Sequence, residues 1–116
     1  MTNGFTYQGN LQPGQLSVWS FTANAGDSMV VGMGATDNGS SLYPYVRIYG
    51  PNGALLASGF GAKAAEASAQ ATNSGTFTVV VANDDSYVNG GTGAFDVTLG
   101  TTASRLWWRP EVKAVR

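Results

Sequence analysis

The chain contains neither cysteine nor histidine. Without cysteine there is no disulfide framework and no thiolate nucleophile. Without histidine the commonest general base, the commonest transition-metal ligand and the usual switch near neutral pH are missing. Charge is scarce as well: Asp, Glu, Lys and Arg make up 11% of the residues, against about 25% in an average domain. No apolar run reaches the ~18 residues that a membrane-crossing helix needs, so no membrane span is expected. The opening stretch MTNGFTYQGN has neither the basic start nor the apolar segment of a secretory leader.

What is present is glycine, at 16 of 116 residues, with Ser, Thr, Asn and Ala filling much of the remainder. High Gly, Thr and Asn with little Lys or Glu is common in extracellular β-domains, so a secreted or extracellular setting is expected. A leader would then lie outside this sequence, or the chain is one module of a longer protein. A length of 116 residues suits one domain, large enough to bury a core without covalent staples. Charge is unevenly spread. Residues 1–104 hold two basic and six acidic side chains, a net of −4, while residues 105–116 hold four basic and one acidic, a net of +3. An acidic body argues against nucleic acid as a partner, since phosphates call for a Lys/Arg surface. The expected division is a β-sandwich over 1–104 and a Trp-rich basic tail over 105–116.

The patterning is β throughout. GFTYQGNL and LSVWSFTAN alternate apolar and polar residues across a Pro-Gly turn, with Leu16, Val18, one face of Trp19 and Phe21 competing for the core. MVVGMGAT reads as a buried strand. YPYVRIYG places Tyr45, Arg47 and Tyr49 on one side and Val46 and Ile48 on the other. A Pro-Asn-Gly turn leads to ALLASGFG. AEASAQAT has helix-favouring alanines, but its length and flanking turns assign it to a strand. NSGTFTVVVAND is the clearest strand, with Phe77, Val79 and Val81 on one face, and AFDVTLG closes the chain of strands. About eight antiparallel strands at this spacing predict an all-β, jelly-roll-like sandwich.

Five marks occur in order. They are the Pro-Gly turn before Trp19 and Phe21, the turn Ala25-Gly26-Asp27, and the block from Leu42 to Gly53 with the pattern L-x-P-x-V-x-I-Y-x-P-x-G. Ser74 to Val79 (SGTFTV) and the closing G-x-F-x-V-x-L from Gly93 to Leu99 complete the set. Together, over roughly Gly9 to Leu99, they resemble the bacterial pre-peptidase C-terminal domain, a family of extracellular β-sandwich modules. The resemblance implies a module beside secreted proteases or in cell-surface proteins, with collagen-binding and calcium-stabilised relatives. It implies no shared catalytic residue. Family members often carry an Asp just before the strand tryptophan, whereas Gln15 to Val18 contain no acid. The tail has no counterpart in the family pattern.

The residues point to binding rather than catalysis. Adjacent carboxylates occur only at Asp84 and Asp85, and Glu66 has no evident partner, so no acid–base set is expected and the chain is read as a non-enzyme. Calcium is the candidate cation: Asn83, Asp84 and Asp85 offer oxygens beside a Gly-rich loop, and Asp27 or Asp37 would join from another loop. The same residues also serve as ordinary turn formers. Tyr45, Arg47 and Tyr49 are of the types enriched at binding hot spots, for a protein or a polysaccharide. Cross-strand packing is the alternative, as is the opposite phase with partly buried tyrosines. Trp107 and Trp108 lie in the tail RLWWRPEVKAVR. They pack on their own sandwich, join copies into a homo-oligomer or dock on a partner, or belong to a linker. The leading expectation is a non-catalytic accessory or adhesive module of a bacterial extracellular or cell-surface protein. The alternative is a self-assembling subunit joined through its tail.

Overall fold

The computed structural model describes Gly4 and residues 6–36, 40–86 and 88–102. Eight strands make it up: β1 (Thr6–Leu11), β2 (Ser17–Ala23), β3 (Ser28–Ala35), β4 (Pro44–Tyr49), β5 (Leu55–Phe60), β6 (Ala64–Gln70), β7 (Gly75–Asn83) and β8 (Gly93–Thr102). Among the described residues there is no helix, and the alanine-rich segment is strand β6.

The strands pair like one long hairpin wrapped on itself. β4 pairs with β5, β3 with β6, β2 with β7 and β1 with β8, all antiparallel. Pairings of β3 with β8 and of β4 with β7 join these into two sheets, ordered β1-β8-β3-β6 and β2-β7-β4-β5. This is the strand order of a jelly roll, and the chain forms the expected all-β sandwich. Gly14 and Gly53 sit at positive φ, 74° and 86°, in the two Pro-containing turns, where a side chain would be strained.

Strand alternation builds the core. Met29, Val31, Met33, Val46, Ile48, Phe77, Val79, Val81, Phe95, Val97 and Leu99 all turn between the sheets and are buried. One expectation is corrected and one open choice is settled. β3 is buried along one face only, since Val30 is exposed and Gly32 and Gly34 make up its outer side. In β2, the competition is won by Phe21 and Trp19. Phe21 lies opposite Phe77, and their rings stack with centroids 5.6 Å apart. Strand parity then sends Val18 outward, 59% exposed, and Leu16 just before the strand is 54% exposed.

The two open edges of the sandwich are closed by opposite means. At the β5–β6 edge the backbones touch: a Cβ on Gly59 would overlap the Glu66 carbonyl oxygen and lie 2.8 Å from its carbon. At the β1–β2 edge aromatic rings fill the gap. Trp19 stands between Tyr7 and Phe95, at 6.3 and 5.9 Å between centroids. Gly9 lies opposite Phe95, and a Cβ there would come within 2.7 Å of that ring.

Candidate functional site

β4 supplies the middle of the site. Val46 and Ile48 are fully buried, so Tyr45, Arg47 and Tyr49 stand on the outer face of the β2-β7-β4-β5 sheet, each half-buried. The register places their neighbours. Tyr45 lies between Ala82 and Phe60, Arg47 between Val80 and Ser58, and Tyr49 between Thr78 and Leu55. Val18 of β2 continues the Arg47 row beyond Val80.

The result is a broad apolar and aromatic surface. Val80 and Ala82 are buried at 9% and 5% exposure although they face outward, because their neighbours cover them. Leu16 and Val18 flank one side of the face. Leu55 and Phe60, each 53% exposed, flank the other, and Phe60 stands at the corner between the sheets. Among the described residues six large apolar side chains are exposed: five belong to this sheet or the segment leading into it, and Val30 lies on the other. Apolar exposure gathered on one side in this way marks contact surfaces, whereas single scattered residues mark nothing.

Arg47 is the charge in this surface. Its guanidinium lies over the Tyr45 ring, 5.0 Å from the centroid, and Nη1 donates to the Tyr49 hydroxyl at 3.3 Å. Its Nε is buried without an acceptor. Among the described residues no carboxylate accepts from it, and the outward positions of β2, β7, β4 and β5 hold no acid. The two tyrosines thus hold the arginine by a cation–π contact and a long hydrogen bond.

The Asn83, Asp84 and Asp85 group spans the end of β7 and the start of the loop to β8, where it folds the loop. Asn83 Oδ1 accepts from the Tyr43 amide at 2.8 Å, and its Nδ2 donates to Asp85 and to the Val88 carbonyl. Asp84 Oδ1 accepts from the amide and hydroxyl of Ser86. Asp85 Oδ1 also accepts from the Gly90 amide at 3.2 Å. Asp27 does not join them. It sits in the β2–β3 turn accepting from the Asn24 amide, at the opposite end of the sandwich, because Ala23 pairs with the start of β7 and Ser17 with its end. Asp37, Trp107 and Trp108 lie outside the described residues.

Among the described residues no group of three or more acids is assembled that would hold a metal ion. Calcium favours about six to eight oxygens, and one oxygen of each acid here is already committed to the loop. Millimolar calcium is therefore expected to shift the melting temperature by less than about 2 °C, the effect of a millimolar dissociation constant. A larger rise, cancelled by a chelator, would support the metal reading. Asn83→Ala, by contrast, strands the Tyr43 amide. It is expected to cost about 1–3 kcal/mol in urea unfolding; an unchanged midpoint would show that the loop does not depend on this side chain.

A second feature was hidden from the sequence. On the outer face of the β1-β8-β3-β6 sheet, Gly32 and Gly34 leave an open trough of about 500 Å³, bordered by Glu66, Asp96, Thr98 and Phe60. Glu66 lies opposite Gly32 and Asp96 opposite Gly34, so β3 separates the two acids. Ideal sheet spacing puts their Cα atoms about 12 Å apart.

No protein-family model and no curated protein matches the chain. Its fold does have a solved likeness. The structure is similar to the crystal structure of PliG from Aeromonas hydrophila, a periplasmic lysozyme inhibitor of g-type lysozyme. The TM-score is 0.59 at 14% identity, covering 82% of this chain and 84% of that one. The likeness is one of fold. Among the described residues no helix is long and apolar enough to cross a membrane.

Proposed function

We propose that the chain is a non-catalytic, protein-binding module of a bacterial extracellular or periplasmic protein, and that the outer face of the β2-β7-β4-β5 sheet is its contact surface. One observation carries the reading: Tyr45, Arg47 and Tyr49 form a half-buried ridge with exposed Leu16, Val18, Leu55 and Phe60 on either side. Flat apolar surfaces centred on Tyr and Arg suit protein partners, which bury such anchors and leave a polar rim. A polysaccharide would want a concave site with polar groups, and the trough described above, among the described residues, lies on the other sheet. That a fold neighbour is a lysozyme inhibitor supports a protein partner, and its periplasmic setting supports the location.

The reading as a module of the pre-peptidase C-terminal kind rests on where the shared marks fall. Pro13-Gly14 and Pro51-Asn52-Gly53 are turns between paired or adjoining strands, and Ala25-Gly26-Asp27 links β2 to β3. The test is retention of purified envelope and matrix proteins, a g-type lysozyme among them, on the immobilised chain. Retention should be lost when Tyr45 and Arg47 are replaced by Ala and kept when Glu66→Gln and Asp96→Asn alter the opposite face. The reverse pattern would move the site to the trough.

A further inference from the structure

We infer that the partner presents a carboxylate, an Asp or Glu side chain flanked by apolar residues, to Arg47. This rests on the binding face proposed above and names what that face selects. Residues 1–104 carry only two basic side chains, and Arg47 is the one set among apolar neighbours. Among the described residues the guanidinium has no counter-ion, which is costly in such surroundings, and its buried Nε has no acceptor. The Tyr45 ring and the Tyr49 hydroxyl fix its position in advance. A fixed planar fork with one weak acceptor is matched by a carboxylate, which takes two parallel hydrogen bonds from it. Leu16, Val18, Leu55 and Phe60 would then exclude water around the pair, which is where such a pair contributes most.

The same charge argues against a second copy as the occupant. A two-fold, face-to-face dimer through this sheet would bring the central Arg47 of each copy towards the other, with no acid on the face to offset them. The occupant is a different protein with an acidic, apolar-flanked segment.

The probes are two peptides, acetyl-Leu-Glu-Phe-amide and its isostere acetyl-Leu-Gln-Phe-amide. They are titrated into the isotopically labelled chain while the Arg47 Nε–H and the amides of β2, β4 and β5 are followed by NMR. The Glu peptide is expected to move the Arg47 signal and the amides around Tyr45 and Ser58, binding about ten-fold tighter than the Gln peptide, one to two charge-assisted hydrogen bonds' worth. Arg47→Gln should abolish the difference while leaving the melting temperature near that of the parent. Molar salt should shrink it. Equal shifts by both peptides at this face would overturn the carboxylate inference and leave the binding face standing. No shift at this face from either peptide would overturn both.

Discussion

Gly59→Ala should lower stability by about 3 kcal/mol or more, moving the melting temperature by on the order of 10 °C. The position is not one of unusual backbone: Gly59 is absent from the glycines at positive φ. The effect is purely one of space. The methyl would occupy the same volume as the Glu66 carbonyl, which is backbone and cannot rotate away. Either β5 or β6 must move, and that separates the sheets along the edge they close. Gly100→Ala is the control. It lies in β8 with nothing within 4 Å of the added Cβ, and should change stability by less than about 0.5 kcal/mol. Urea unfolding of both variants decides the matter. Equal midpoints would mean that the β5–β6 contact is not part of what holds the sandwich shut.

Replacing both Tyr45 and Arg47 by Ala should weaken partner binding about 100-fold or more, with little loss of fold. Hot-spot residues of these types cost about 2 kcal/mol or more each on truncation, and the pair shares contacts, so the sum is not strictly additive. The stability cost is small because both side chains lie on the outer face. What is lost is a cross-strand contact, about 0.2–1 kcal/mol per pair, and one weak hydrogen bond. A calorimetric titration against the captured partner, beside a thermal melt of the free variant, separates the two effects. Loss of binding together with a collapsed melting curve would assign Tyr45 and Arg47 to the fold and remove them from the site.

Much of the fold was legible because strand alternation is a local signal. Val46 and Ile48 against Tyr45, Arg47 and Tyr49 can be read within six residues, and so can Phe77, Val79 and Val81. What could not be read was register. Leu16 and Val18 have core-like side chains, and only the stacking of Phe21 on Phe77, more than fifty residues away, settles that they face out. The candidate site was legible in its centre and invisible at its borders for the same reason. Tyr45, Arg47 and Tyr49 sit on one strand. The residues that turn them into a surface come from β2, β5 and β7 and meet only once the sheet forms. The sequence alone suggests Asp27 as a partner for Asn83, Asp84 and Asp85, because both segments are Asp-bearing turns. Antiparallel pairing of β2 with β7 puts them at opposite ends, which composition cannot tell. The trough with Glu66 and Asp96 likewise needs β6, β3 and β8 side by side.

The measurement that bears most directly on the account is a footprint of a bound protein partner, by amide exchange and side-chain oxidation. Protection centred on Val18, Tyr45, Arg47, Tyr49 and Ser58, with Val30, Gly34 and Asp96 unchanged, is the predicted result. Protection centred on Gly32, Gly34, Glu66 and Asp96, with the tyrosine face still exposed, would contradict it.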